Sequence, residues 1–344
     1  MIIDDYVTPA ELTGYVREVP LPTGQILNRF LPDQRVNDIE AAWDEATRTN
    51  RAAKFRAYNA PTPVGRRDSF TRSRVTLPPL GQKTVIGEWE RLQLERIRTG
   101  GTADNGVIDA IYNDVEINAS AVHNRMELAR GDVLVDGKFT LAGENGLTIE
   151  ADFGVPAGHL VTAAVVWSNY ATGTPLSDER AWRQTYIDAN GQPPGYVLMP
   201  SATIGHLLLS EQYRELAPMV VGGSPSILTE ESLNAIRRAH RLPEIIEYDH
   251  RVEVDGVNVR TIPADRVIYL PQNPRDLGYT AWGITAEALE LAGLDNPGLV
   301  YEEMPGLVGV VMKEGDPLRT WTKVGAVGMP ILERPRLLMV GDVL

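Results

Sequence analysis

The sequence predicts an α+β fold with an inserted α/β block, and three observations carry that reading. Apolar residues recur at spacings of three and four through one long helix, about 104–131. Hairpin-type turn signals follow that helix at once. From about residue 171 helix and strand signals alternate, and the last forty residues return to β character.

The chain has 344 residues, 43% of them hydrophobic and 23% charged, which is the range of an ordinary folded protein. At roughly 150 residues per domain that length suggests about two domains. The absence of cysteine rules out disulfides, thiolate metal ligands and a cysteine nucleophile. No run of apolar residues is long enough for a membrane span, and Met1-Ile2-Ile3-Asp4-Asp5 is unlike the basic start of a signal peptide. The net charge is −13, so the general surface is not expected to coat DNA.

Thr8-Pro9-Ala10-Glu11-Leu12 reads as a helix start, with a threonine cap and proline in the first turn. Pro20, Pro22 and Pro32 then break regular structure, and residues 1–47 read as an extended arm with one short helix. Residues 48–83 read as a long two-stranded excursion. Between Arg48 and Arg74 eight basic residues face one acid, Asp68, and Pro61, Pro63 and Gly65 mark a turn. An isolated hairpin is marginal in water, so this one must lie against something. Residues 84–98 read as a helix with Val85, Trp89, Leu92 and Ile97 on one face.

In the long helix, Ile108, Ile111, Val115, Ala119, Val122, Met126 and Ala129 form the apolar face. Asp109, Asn113, Asp114, Glu116, Arg125 and Arg130 fall on the polar one. Asn145-Gly146 between Phe139/Leu141 and Leu147/Ile149 signals a hairpin, and Asp136-Gly137 a second turn. In the α/β block, Thr174-Pro175 opens a helix closed by Gly191. Tyr196–Met199 is a short strand, and Ser201 caps another helix. Thr229-Glu230-Glu231 starts a helix ending in Arg237, Arg238, His240 and Arg241, a charge order that suits the helix dipole. Residues 252–259 form a hairpin and 267–270 a strand. Val308–Met312 and Arg336–Val340 read as buried strands, expected to pair with strands of 133–167. The first part of the body is then 84–170, the inserted block 171–304 and the closing strands 305–344.

Little in the chain suggests catalysis. None of His123, His159, His206, His240 and His250 stands in a His-x-His or His-Glu-x-x-His pattern. His123 and Glu127 read as a surface contact four residues apart, not a metal pair. Gly131–Lys138 fails the phosphate-loop spacing, Gly222-Gly223-Ser224-Pro225 is a flexible loop, and no dinucleotide or nucleophile-elbow motif occurs. Catalytic, cofactor-binding and metal residues are all expected to be absent.

The basic run admits three readings. Phe55, Tyr58 and Phe70 interleave with arginines, as in some single-strand binders. The run is otherwise a solvated loop, or an arm contacting another subunit. The last reading accounts for both the missing core and the charge opposition to an acidic body.

The order of these elements resembles the Hong Kong 97-type phage capsid fold, and in sequence the lambda-like phage capsid E family of major capsid proteins. Three local stretches carry the likeness. Asp136-Gly137-Lys138-Phe139-Thr140-Leu141-Ala142-Gly143-Glu144 follows the long helix, as a Gly-Lys-aromatic-Thr run does in the family. Pro175-Leu176-Ser177-Asp178-Glu179-Arg180 opens the inserted block. Asp316-Pro317 precedes Trp321 and the stretch from Pro330-Ile331-Leu332 to Val340.

The resemblance implies an N-arm, an E-loop, a peripheral domain with a spine helix at 104–131, and an axial domain. It implies self-assembly into hexamers and pentamers of an icosahedral head around double-stranded DNA, bound without sequence specificity. The implied partners are the chain itself, a scaffolding protein, a portal and a decoration protein, with no membrane and no enzyme activity. The location would be the virion, after assembly in the host cytoplasm. Arg48, Arg51, Lys54, Arg56, Arg66, Arg67, Phe70, Arg72 and Arg74 are the expected intersubunit contacts. With only five lysines, and Lys54 the one within the basic run from Arg48 to Arg74, covalent crosslinking is not expected. An encapsulin-like compartment shell, a two-domain α/β enzyme and a nucleic-acid binder are the alternatives.

Overall fold

The computed structural model describes residues 7–46, 53, 55, 56, 58, 61, 70–90, 92, 93, 106–144, 146–217, 226–292 and 305–344. Two five-stranded sheets flank the long helix. The first runs β1 (Asp33–Arg35), β13 (Gly278–Trp282), β15 (Leu318–Leu332), β14 (Val308–Gly315), with β4 (Pro79–Ile86) also on β15. The second runs β7 (Leu160–Thr162), β16 (Met339–Asp342), β12 (Arg266–Leu270), β8 (Tyr196–Met199), β9 (Glu244–Glu247). Three hairpins stand apart: β2 (Glu40–Ala46) with β3 (Phe70–Thr76), β5 (Lys138–Glu144) with β6 (Leu147–Asp152), and β10 (Arg251–Val254) with β11 (Val257–Arg260).

Helix α1 (Pro9–Glu18) begins as expected. Thr8 Oγ1 accepts from the Glu11 amide at 3.3 Å and the Glu11 carboxylate accepts from the Thr8 amide at 3.2 Å, a reciprocal capping box. The segment that follows is not a free arm. Leu12 and Val16 are fully buried on β14, and Leu27, Phe30 and Leu31 are fully buried further on. Gly309 permits the first contact, since a Cβ there would lie 2.7 Å from Val16 Cγ2.

The long helix, α2 (Gly106–Asp136), has 31 residues and spans about 46 Å. Ile111, Val115, Ala119, Val122 and Met126 are buried, as the periodicity predicts; the side chain of Ile108 lies outside the described residues. Its first half packs with α1, β14 and β15, and its last turns, through Val133 and Leu134, join the core under the second sheet. Asn118 Nδ2 donates to the Thr322 carbonyl and to Thr84 Oγ1, both at 3.1 Å, pinning the helix across β15 and β4. Gly137 ends it in the left-handed region at φ +74.

The inserted block follows the expected order: α3 (Pro175–Asn190), β8, α4 (Ser201–Leu209), α5 (Glu211–Glu215), α6 (Glu230–Ala239) and β9 to β12. Gly191 closes α3 at φ +73, and Thr229 Oγ1 accepts from the Ser232 amide to cap α6. Ser201 does not cap α4. It is the first helical residue, and its amide is satisfied by Asp249 Oδ2 at 2.9 Å.

The strand pairing differs from the expectation. β14 pairs with β15, not with residues 133–167, and β15 continues along β4 and then β13. Only β16 reaches the expected region, lying parallel to β7, and it also pairs with β12. Residues 335–337 form a 3-10 turn and not strand. The second sheet thus draws β7 and β16 from outside 171–304, while β13 within that span belongs to the first sheet. In the 84–98 segment, residues 84–86 finish β4 and 88–90, 92 and 93 are helical. Val85, Trp89 and Leu92 are exposed, so they form no buried face, and Ile97 lies outside the described residues.

Candidate assembly interface

The basic excursion is a hairpin that starts earlier than the charge run. β2 and β3 pair from Glu40 opposite Thr76 to Ala46 opposite Phe70, and with no other strand among the described residues. Its base is clamped to the body. Ala41 and Leu77 are buried, the Leu77 amide donates to the Ile39 carbonyl at 2.9 Å, and the Gly328 amide donates to the Pro78 carbonyl at 3.0 Å. Gly283 lets the base seat closely, since a Cβ there would lie 2.7 Å from the Asp38 carbonyl oxygen.

Beyond the base, the strand register places acidic positions within the hairpin. The register sets Asp44 opposite Arg72 and Ala42 opposite Arg74, so β2 contributes Glu40, Asp44 and Glu45 to an excursion read as basic. A count begun at Arg48 misses these three acids.

Of the nine expected contact residues, Arg74 is exposed on β3 and Arg56 is exposed in the connection. Phe70 and Arg72 are placed by backbone on β3, their side chains lying outside the described residues. Arg48, Arg51, Lys54, Arg66 and Arg67 lie outside the described residues altogether. Phe55 and Tyr58, which the contact set omitted, are fully exposed, at 105% and 101% of their reference areas. Aromatic residues presented this way are the composition of an interface anchor. The signal was present in the sequence, as aromatics spaced among arginines.

A buried polar node ties the hairpin-bearing side to the inserted block. Glu127, read as a surface residue, is fully buried; it accepts from the Leu27 amide at 3.0 Å, from Tyr248 Oη at 2.7 Å and from Arg130 Nη1 at 3.2 Å. Arg130, read as part of the polar face, is 1% exposed, with Nε donating to Thr280 Oγ1 at 2.9 Å and Nη2 to Asp33 Oδ1 at 2.5 Å. Asp33 also accepts from Trp282 Nε1 at 2.7 Å. Each polar group finds a partner from a distant part of the chain, which is how a buried pair is tolerated. Burial pushes the His123 imidazole below its ordinary value, opposed by the nearby Asp33 carboxylate and reinforced by Arg130.

A second pair lies inside the block. Arg237 Nη1 donates to both carboxylate oxygens of Glu179, and Tyr213 Oη donates to Glu179 Oε1 at 3.1 Å. Arg237 Nη2 reaches the Pro243 carbonyl at 3.1 Å. The side chains of Glu179, Tyr213 and Arg237 are all but fully buried, so the pair serves as a packing element inside the block.

Among the described residues no group of three or more histidines, aspartates and glutamates could hold a metal, and no helix is long and apolar enough to cross a membrane.

The long helix thus lies against two sheets, and the β2–β3 hairpin pairs only with itself among the described strands. The family model for phage major capsid protein E matches residues 8–343, and the chain belongs to that family. Among solved structures it is similar to a protein assigned as a prophage capsid protein from E. coli CFT073, at 14% identity and TM-score 0.64, covering 100% of both chains. It is also similar to a phage-related protein from Bordetella bronchiseptica RB50, at 13% identity and TM-score 0.53, covering 96% of this chain and 95% of that one. No curated protein sequence matches it. The fold is the α+β Hong Kong 97 type. The family is structural, its members are major capsid proteins that form an icosahedral shell, and the virion capsid is their place.

Proposed function

We propose that the chain closes its shell as hexamers and pentamers, with the β2–β3 hairpin laid over the adjacent copy. One observation carries this: a hairpin paired only with itself among the described strands presents Phe55 and Tyr58 fully exposed. Covering such aromatics by a neighbour removes apolar area from water at about 25 cal/mol per Å². The charges of Arg48, Arg51, Lys54, Arg56, Arg66, Arg67, Arg72 and Arg74, with Phe70, then meet the surface of a chain whose net charge is −13.

The same reading divides the chain into arm 1–47, whose β2 supplies the first strand of the E-loop 48–83, peripheral domain 84–170 with 305–344, and axial domain 171–304, whose β13 joins the first sheet. The chain carries no enzyme activity in this account. Its partners are itself, a scaffolding protein, a portal, a decoration protein and packaged double-stranded DNA bound without sequence specificity. Assembly takes place in the host cytoplasm, and the acidic balance keeps DNA from adhering to the inner wall.

The test is sedimentation of the purified chain beside an Arg66→Glu/Arg67→Glu/Arg72→Glu/Arg74→Glu variant. Capsomers or shells from wild type, reduced in a variant that stays folded, support the hairpin as an intersubunit clamp. Equal assembly by both contradicts it.

A further inference from the structure

A cleft of about 460 Å³ opens at one end of the second sheet. Its position follows from strand direction. β8 and β9 run parallel, so Tyr196 and Glu244 stand at the same end. β12 runs antiparallel to β8 and finishes there, which brings Gln272 to the same rim. Arg183 of α3 and Arg241, just beyond α6, complete the charged lining, with Pro193 and Pro194 as apolar wall. The floor is tight, since a Cβ on Gly195 would lie 2.5 Å from Gln272 Cα. The guanidinium of Arg29 stacks over the Tyr196 ring at 4.6 Å, adding a third cation beside the cleft. Arg183 also keeps a buried Nε with no hydrogen-bond acceptor among the described residues. Two cations in the lining therefore face one carboxylate, the exposed Glu244.

From the opposite end of β9 the chain passes through Tyr248 and Asp249 into the β10–β11 hairpin. That hairpin pairs with no other described strand. Val252 anchors it, whereas Val257 is 63% exposed and Val259 38%. Its tip is acidic: Glu253 and Asp255 are exposed, and Asp255-Gly256 turns at φ +50 and +80. At its base Arg260 is already ion-paired with Asp249.

We propose that the cleft is a socket for the acidic β10–β11 tip of a second copy of this chain. The carboxylates of Glu253 and Asp255 would answer Arg183 and Arg241, and the exposed valines would meet the proline wall. The socket and the point where the chain leaves for the hairpin lie at opposite ends of β9, so the contact is head-to-tail, the kind that closes a ring when the rotation per copy divides a full turn. This inference rests on the self-assembly reading above.

The experiment uses the full chain. The socket variant is Arg183→Glu/Arg241→Glu, and the tip variant is Glu253→Lys/Asp255→Asn, the asparagine keeping the left-handed turn. The third protein carries all four changes. Sedimentation velocity reads the assembled fraction and thermal unfolding reads the subunit. Socket and tip variants should each lower the apparent association constant about tenfold or more, with unfolding unchanged, and the four-change protein should recover most of the loss. If the socket reversal impairs folding, the neutral Arg183→Gln/Arg241→Gln variant should still show a smaller loss in the same direction. Assembly of the folded socket variants at the wild-type level overturns the proposal, and so does a four-change protein that stays folded without recovery. A wild-type chain that never assembles overturns the self-assembly reading and this inference with it.

Discussion

Tyr248 donates its hydroxyl to the buried carboxylate of Glu127 at 2.7 Å, joining the inserted block to the long helix across 121 residues of sequence. The same carboxylate holds Arg130 and the Leu27 amide. Replacing Glu127 with alanine strips the buried guanidinium of one counter-charge and leaves a phenol and an amide without their acceptor. The expected cost is about 3–5 kcal/mol, against about 1–2 kcal/mol for Tyr248→Phe. Chemical denaturation of the unassembled subunit measures both, and equal small losses would contradict the node as described.

The Glu179–Arg237 pair gives a separate prediction. Arg237→Met should destabilise the subunit by about 3–5 kcal/mol, because Glu179 is left buried without its cation. The double variant Arg237→Met/Glu179→Leu should recover much of that loss, since two apolar side chains need no counter-charge. A double variant no more stable than the single one would show that Glu179 has another essential partner.

Acid should weaken the second sheet through His159. This residue is 2% exposed; Nδ1 meets the Leu338 carbonyl at 2.9 Å and the ring stacks on Tyr186. Burial lowers its pKa below the ordinary 6.5, opposed by the Leu338 carbonyl and reinforced by Arg336. The unfolded chain then binds the proton more readily than the folded one. The stability is therefore present above about pH 6.5 and is lost as pH falls from there through the folded value. Urea midpoints at pH 7.5 and 5.5 should differ for wild type and differ less for His159→Gln.

Phe55→Ser/Tyr58→Ser should separate assembly from folding. Both side chains are fully exposed, so subunit stability should change by no more than about 0.5 kcal/mol. The assembled fraction should fall at low protein concentration. Mass photometry reads the populations, and unchanged assembly would remove the aromatics from the contact.

Much of the local structure was legible because its causes are local. Thr8 and Pro9 announce α1, Thr174-Pro175 and Gly191 bracket α3, and Gly146, at φ +81, turns between β5 and β6, all through ordinary capping and turn chemistry. The apolar face of α2 follows from periodicity alone. Strand partners were not legible, because the Val and Met residues of β14 and β16 suit any buried neighbour. Glu127 and Arg130 read as surface residues because their partners Asp33, Tyr248 and Thr280 are about a hundred residues or more away in sequence. Thr84-Val85-Ile86 fit both a helical spacing and a strand, and pairing with Thr320–Thr322 of β15 decided for the strand. Charge density picked out the β2–β3 hairpin but set its start eight residues late, so the acids of β2 were missed.

Electron cryomicroscopy of particles formed by the purified chain tests the central claim most directly. The account predicts closed shells of hexamers and pentamers, with the β2–β3 hairpin of each copy lying on its neighbour and Phe55 and Tyr58 covered. Particles in which the hairpin folds back on its own subunit, or a chain that remains monomeric at every salt and protein concentration, would contradict it.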